Sequence, residues 1–375
     1  VLNAVLFIAD PNMAALLRGM AGTSSELTIE SIVELNGAGY TIARTLNTAT
    51  PDVILLEMTD LGRDLPLAAA IHQKSPDVPV VGLASRELHL LLSRNPNSDV
   101  SAVVAWPFGV GELEEAISSA VHKFHGGIHE NLVAFLPGKA GSGASTVVLQ
   151  TAHTIAQELK QKVLVMEGDL HSGLLSAMLQ VDVRSSIRDA LTAAPQAGSM
   201  TWQRSIIQAG GVDFLLTNTS VKEPVPSWTH YFHLLRFAVS KYDLVMVDLP
   251  EVVNTATAEA VRRARAVYVV STPEFASLKL AQQRCRELEN WGVDRERIQA
   301  LLNRGHKNDM NAKDAEKILE RPVAATLPND YKGMRKAMTD GCFVETRSDL
   351  GQAYLALGKM LMGVEEKKAS SWFRK

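Results

Sequence analysis

Apolar and polar positions along this chain fall into short blocks that repeat. Runs rich in β-branched residues at 3–9, 26–34, 52–57, 78–83 and 100–105 read as strands. The stretches after them, 11–20, 38–48, 65–75, 86–94 and 110–123, carry helical periodicity. Five β-α units within residues 1–125 predict a five-stranded parallel sheet covered by helices on both faces. Gly126-Gly127 interrupts the pattern, and residues 126–130 read as a linker. A second series follows over 131–365, with strands expected at 131–136, 162–167, 212–216, 243–248, 265–271, 297–302 and 322–326. Helical patterns lie between most of them, which predicts a doubly wound sheet. Residues 366–375 read as a flexible tail. The fold class is therefore α/β in two domains, a flavodoxin-like one followed by a larger one.

Composition narrows the function classes. Hydrophobic residues make up 46% and charged residues 21% of 375, an ordinary globular balance. A net charge of −3 gives no overall basic surface for nucleic acid. The short basic clusters Arg262, Arg263, Arg265 and Arg295, Arg297 are interleaved with Glu259, Asp294 and Glu296 and read as solvated helix faces. Cys285 and Cys342 fit no metal spacing and suit a reducing compartment, so a cytoplasmic location is expected. No apolar run reaches the roughly 20 residues that span a bilayer. The terminal Trp372-Phe373-Arg374-Lys375 permits peripheral membrane contact at most. His122, His125 and His129 near the linker are a weak metal pattern.

The candidate chemistry starts at Gly138-Lys139-Ala140-Gly141-Ser142-Gly143-Ala144-Ser145-Thr146. This segment follows a predicted strand and opens a predicted helix, Thr146 to Leu159. Its glycines are spaced as in a phosphate-binding loop, where backbone N–H groups at a helix N-terminus face anionic oxygens. Ser145 stands where a hydroxyl ligates Mg²⁺, and Thr146 follows it. The lysine that normally precedes them is replaced by Ala144, and Lys139 sits at the front of the loop instead. The strand Val163 to Glu167 leads into Gly168-Asp169, which puts two carboxylates two residues apart at its end. The strand Asp243 to Asp248 also ends in a carboxylate, a position suited to a Mg²⁺ shell. Ala300-Leu301-Leu302-Asn303 ends in an amide able to read a base edge.

These ordered motifs resemble the ParA/MinD-type ATPases, whose loop reads Lys-Gly-Gly-x-Gly-Lys-Thr-Thr. The resemblance implies ATP and Mg²⁺ as cofactors and a nucleotide-sandwich homodimer. It implies that Lys139 reaches the partner's phosphates and that Asp169 positions water, the two catalytic candidates. Gly138, Lys139, Gly141, Ser142, Gly143, Ala144, Ser145, Thr146 and Asn303 would bind nucleotide, with Asn303 at the adenine. Ser145, Glu167 and Asp248 would hold the metal. Leu327-Pro328-Asn329-Asp330, with Ala337 and Gly341 beyond, is similar to the family's C-terminal pattern.

The first half resembles a response-regulator receiver domain through Pro51-Asp52-Val53-Ile54-Leu55-Leu56-Glu57 and Val103-Val104-Ala105-Trp106-Pro107-Phe108. Its chemistry is altered. Glu57 replaces the phosphoacceptor aspartate, Trp106 the lysine and Ala84 the Ser/Thr, and only Asp10 remains of the acidic pair. A docking domain without phosphotransfer is expected. The pairing of both halves resembles the TadZ/CpaE group of the tight-adherence (Flp, type IV-like) pilus system. That implies a localisation and scaffold factor at the assembly site, often a cell pole, that recruits pilus-assembly and secretion proteins. Losing the loop lysine weakens nucleotide by about 1.5–3 kcal/mol and hydrolysis by on the order of 10³–10⁵, so binding with little or no turnover is expected. The alternatives are an active ParA/MinD-like ATPase in DNA partition or cell positioning, and a nucleotide-free pseudo-ATPase regulator.

Overall fold

The computed structural model describes residues 1–24, 26–35, 45, 46, 49, 51–94, 99–125, 127–193, 200–218, 226–254, 256–306, 309–341 and 343–364. The chain forms two compact units, Val1–Gly127 and Ile128–Lys375. The expected helix over 38–48, Cys342 and the tail 366–375 lie wholly or mostly outside the described residues.

The first unit contains strands β1 (Leu2–Ile8), β2 (Leu27–Glu34), β3 (Val53–Met58), β4 (Val80–Ser85) and β5 (Ala102–Trp106). All pairs are parallel, in the order β2-β1-β3-β4-β5. That is the flavodoxin-type doubly wound order. β3 is buried along its whole length, as its unbroken apolar run requires for the strand at the middle of the sheet. The connecting helices include Pro11–Thr23, capped by Asp10, and Leu61–Lys74, capped by Asp60.

The second unit is built on an eight-stranded sheet. Its strands are β6 (His129–Pro137), β7 (Val163–Glu167), β8 (Ile206–Ala209), β9 (Val212–Leu215), β10 (Leu244–Asp248), β11 (Ala264–Ser271), β12 (Ile298–Gly305) and β13 (Val323–Pro328). The order is β13-β12-β11-β6-β10-β7-β9-β8. Alternate residues of each central strand feed two separate cores, because successive side chains point to opposite faces. Leu132, Ala134 and Leu136 of β6 join one core, beneath helices Trp228–Val239 and Phe275–Asn290. Val133 and Phe135 join the other, beneath helices Ala144–Glu158 and Asp349–Leu361. A side chain at Gly358 would come within 2.9 Å of Ile155 Cγ1, so these last two helices approach through that glycine.

Three features differ from the sequence reading. β6 starts at His129, whose register partner is Ala264 of β11, so residues 129 and 130 are strand and not linker. β8 was not foreseen. It is a four-residue edge strand, antiparallel to β9 through Gly210-Gly211, both with positive φ, and it makes the sheet mixed. Apart from the exposed Arg295, the clustered arginines are not on solvated faces. Arg297 donates to the carbonyls of Val261, Arg262 and Ala264, and Arg262 to that of Trp291. Arg265 donates to the Leu361 carbonyl and Arg295 to that of Glu320. Helix ends leave carbonyls without intrahelical partners, and these guanidinium groups satisfy them.

Arg263 is the fifth member. It is fully buried against Glu259, one helical turn earlier, with its guanidinium 4.8 Å from the Phe232 ring centroid. Removing one partner of a buried pair leaves an uncompensated charge. Glu259→Ala is expected to lower the unfolding free energy of the second unit by about 3–5 kcal/mol, and Glu259→Leu with Arg263→Met to restore most of it. Urea unfolding followed by circular dichroism checks both.

Candidate functional site

β6 ends at Pro137, and the chain turns at once into the loop Gly138–Gly143. The Gly138 N–H donates to Val270 O of the neighbouring β11, 2.8 Å away, and a side chain there would strike Ala281 at 2.8 Å. Gly141 and Gly143 have φ of +79° and +91°, values that L-residues rarely adopt. Gly143 is the N-cap of helix Ala144–Glu158 and supplies no side-chain cap. The first-turn amides of Ala144, Ser145 and Thr146 therefore have no intrahelical acceptor. A 15-residue helix brings its dipole to the same point, so the loop is made for an anion.

Two neighbouring strands end beside it. Asp248 of β10 is in register with Phe135 of β6 on one side and Glu167 of β7 on the other. It is buried, the Ser145 hydroxyl hydrogen-bonds to it, and its Oδ1 has no partner. Burial pushes the Asp248 carboxyl up to about 7; the Ser145 hydrogen bond opposes this, and the charges of Glu167 and Asp169 add to it. A carboxylate oxygen left bare in the interior fits a cation better than it fits an apolar surrounding. Mg²⁺ takes one or two carboxylates, waters and substrate phosphates, and Ser145 with Asp248 supplies the protein's share of that set. The buried Ser142 Oγ is also without a partner. On these observations the loop and the β10 end fit a Mg²⁺-bound polyphosphate.

Glu167 behaves differently from a metal ligand. It is fully buried, and its two oxygens accept the N–H groups of Leu175 and Thr217, each at 2.8 Å. Burial raises its pKa and those backbone bonds oppose the rise. Glu167 pins the segment from Asp169 to Leu175, and a side chain at Gly173 would collide with it. Asp169 Oδ1 accepts from His171 N and Ser172 N at 3.0 and 2.8 Å, which folds that segment into a tight turn. The Thr217 hydroxyl donates to the Asp169 carbonyl at 3.2 Å. Thr217 is thus a positioning residue that the sequence reading passed over. Its place just past the end of β9 was the available signal, since sites of doubly wound sheets gather at carboxyl ends of strands.

Asn303 also has a different task from the base contact expected of it. Its amide nitrogen donates to Ser142 O at 2.9 Å and its Oδ1 accepts from Arg304 N at 3.0 Å. It ties the loop to β12, and a side chain at Gly143 would come within 2.5 Å of it. Next to it lies a cavity of about 340 Å³ whose walls include Thr146, Asn303, Asn329, Tyr331 and Tyr354, within the size range of small-ligand clefts. Lys139 lies on the other side of the loop. Its ammonium is 3.2 Å from Glu274 Oε2, with both side chains substantially exposed. Glu274, at the start of helix Phe275–Asn290, was not anticipated as its partner. Gly138, Gly141, Ser142, Gly143, Ala144, Ser145, Thr146, Asn303 and Asp248 are brought together; Lys139 is turned aside, and Glu167 and Asp169 shape the adjoining turn.

In the first unit, Glu57 is satisfied by backbone N–H groups. That carboxylate is buried, and its Oε2 accepts the N–H groups of Ala9 and Asp10 at 2.6 and 2.9 Å. Asp10 is occupied as a helix cap, and Trp106 packs edge-on against Phe108. Among the described residues, no three His, Cys, Asp or Glu side chains form a metal cluster in either unit.

Comparison with known proteins gives the same architecture. A ParA family ATPase from Chlorobium tepidum superposes with a TM-score of 0.56 at 20% identity, over 61% of this chain and 98% of that one. A chain of the MinC:MinD cell division protein complex of Aquifex aeolicus gives 0.54 at 19% identity, over 63% and 97%. The C-terminal unit has the MinD/ParA ATPase fold. In sequence, a putative septum site-determining protein MinD of Guillardia theta is 27% identical over 209 residues, 53% of this chain and 75% of that one. An uncharacterized ATP-binding protein of Methanocaldococcus jannaschii is 23% identical over 239 residues, 62% and 88%. No family model matches the chain.

The raised pKa of Asp248 sets a pH dependence for the metal-free protein. The folded chain holds that proton more tightly than the unfolded chain, whose carboxyl titrates near its ordinary value. The contribution is complete below about pH 4, declines as pH rises towards 7, and is absent above it. Asp248→Asn removes this slope, so the stability of the variant relative to wild type is expected to grow between pH 4 and 7, by at most about 1.4 kcal/mol per unit. Thermal unfolding in EDTA across that range tests it; a pH-independent difference contradicts it.

Proposed function

We propose that the C-terminal unit binds ATP with Mg²⁺ and uses the nucleotide to hold two copies of the chain together, with weak or absent hydrolysis. The observation that carries this reading is the combination at one loop. The backbone amides after Gly143, the Ser145 hydroxyl and the bare Asp248 oxygen are intact, while the lysine position is the buried methyl of Ala144. The ATP-binding description of the Methanocaldococcus relative supports the choice of nucleotide. Bound Mg²⁺ would supply charge neutralisation at the phosphates. This chain's own residues then do the rest: the amides orient the anion, Ser145 and Asp248 hold the cation shell, and Asp169, whose charge is felt at Asp248, shapes the adjoining turn. Without a lysine at position 144, the developing charge lacks one stabilising cation, and turnover suffers more than binding.

The wider role we propose is that of a localisation and scaffold factor of the TadZ/CpaE kind, acting at the cytoplasmic face of a tight-adherence pilus assembly site. It rests on the joining of a receiver-like unit without phosphotransfer groups to this site. The closed arrangement around Glu57, with its carboxylate accepting from Ala9 and Asp10, supports docking over signalling. Commitment of Arg262, Arg263, Arg265 and Arg297 to internal acceptors gives a DNA-partition role little support.

The expected result with ATP and Mg²⁺ is a rise in thermal midpoint, corresponding to about 2.7 kcal/mol at 100 times the Kd. The rise should be lost in Asp248→Ala. Ala144→Lys should raise the steady-state ATPase rate at least tenfold over wild type. Equal rates for wild type and Ala144→Lys would contradict weak turnover, and no thermal shift at millimolar ATP would contradict nucleotide binding altogether.

A further inference from the structure

The opposite end of the second sheet, where its parallel strands begin, holds a cavity of about 750 Å³. Three aromatic rings line it. Trp202 meets Phe237 edge-on with centroids 4.8 Å apart and lies tilted to Tyr242 at 6.4 Å. Two lysines stand over those rings, Lys162 with its ammonium 4.5 Å from the Tyr242 centroid and Lys241 with its ammonium 5.5 Å from that of Phe237. Among the described residues, neither ammonium has a salt bridge, and the nearby carboxylates are held by uncharged donors. Asp213 accepts from the Tyr242 hydroxyl at 2.7 Å and from Gln208 Nε2 at 2.8 Å, and Asp243 accepts from the Lys162 backbone N–H at 2.8 Å.

The walls are fixed. Asn131 Nδ2 donates to both Val239 O and Tyr242 O at 2.8 Å, which holds the turn carrying Lys241. Trp202 packs against the first core of the sheet. The cleft therefore offers a preset apolar floor with two uncommitted cations at its rim. Ring faces strengthen a seated ammonium's hold on position without neutralising it, so both charges remain available to an anion.

We propose that this cleft is a docking site for an acidic peptide segment of a partner protein, with carboxylates bridging Lys162 and Lys241 and an apolar anchor side chain against Trp202 and Ile206. Two ammoniums against one carboxylate, that of Asp213, leave the lining net positive, which argues for the acid, and the aromatic floor argues for the anchor, as in the hot spots of protein interfaces. A membrane surface fits less well, because recognition of anionic lipid uses clusters of about four to eight basic residues on an open face, and here two lysines flank a recess. The site also has a structural link to the nucleotide loop. Lys162 precedes β7 and Tyr242 lies just before β10, the two strands whose far ends carry Glu167 and Asp248. Five residues of strand separate the two ends by about 17 Å.

The test uses the full chain and a panel of fluorescein-labelled nonapeptides, each with acidic residues flanking a central Trp, Phe, Leu or Met, followed by fluorescence anisotropy. At least one peptide should bind saturably, and its counterpart with amides in place of the acids should bind at least about tenfold more weakly. Lys162→Gln with Lys241→Gln, and separately Trp202→Ala, should each weaken binding by a similar factor with the circular dichroism melt retained. Lys317→Gln, an exposed lysine on another helix, should leave it unchanged. Absence of saturable binding across the panel overturns the proposal, as does equal binding by the double variant. Sedimentation with phosphatidylglycerol vesicles that depends on these lysines, without peptide binding, overturns it in favour of a lipid headgroup.

Discussion

A buried carboxylate with one bare oxygen sits where three strands of the second sheet end. The register of β6, β10 and β7 sets Phe135, Asp248 and Glu167 side by side, so the Asp248 side chain emerges in a dry place next to another acid. The two acids are treated oppositely by their surroundings. Glu167 receives backbone N–H groups on both oxygens and becomes part of the scaffold. Asp248 receives only the Ser145 hydroxyl and keeps one oxygen bare. The isolated chain answers the cost of that burial by holding a proton, which is the meaning of a carboxyl pushed up to about 7. A divalent cation would remove the same cost by a different route. The loop geometry follows from this, since Ser145 reaches Asp248 only when Gly141 and Gly143 take positive φ and start the helix directly above β10.

Much of this was legible in the sequence, for particular reasons. The five-residue apolar strands ending in Glu167 and Asp248 are buried on both faces, so their pattern is unbroken and their polar terminal residues stand out. The loop glycines are readable because only glycine tolerates φ of +91° against Asn303 at Gly143. What stayed hidden depended on contacts between distant segments. Asn303 is 161 residues from Ser142, and Lys139 is 135 from Glu274, and no local pattern announces either pairing. The arginines looked like a solvated face because spacing alone does not reveal which carbonyl ends lie nearby. β8 escaped because four residues carry too little periodicity, although Gly210-Gly211 marked its turn.

The same constraint sorts the two units. Each has an acid at the end of a central strand, Glu57 in β3 and Asp248 in β10. Glu57 has one methylene more than an aspartate at that position, and its carboxylate reaches the amides of Ala9 and Asp10, which satisfies it internally. Asp248 is shorter and stays unsatisfied. Chain length of one side chain therefore separates a site that is closed from one that still calls for a ligand.

Lys139 is where the proposed clasp would act. Its ion pair with Glu274 lies at the surface, with the glutamate side chain two-thirds exposed. Exposed pairs contribute little net free energy, because water competes for both charges. Glu274 therefore orients the lysine without locking it, and a stronger anion can take it over. With Ala144 in place of a loop lysine, phosphates held by this loop would have no cation from their own loop apart from the metal. In the proposed dimer, the charge supplied by a second copy's lysine then carries more of the binding than it would in a loop with both lysines. In that proposed reading, the loss that would weaken turnover would also make nucleotide binding more dependent on the partner. A site altered in this way is better suited to reporting that two chains have met than to driving repeated cycles.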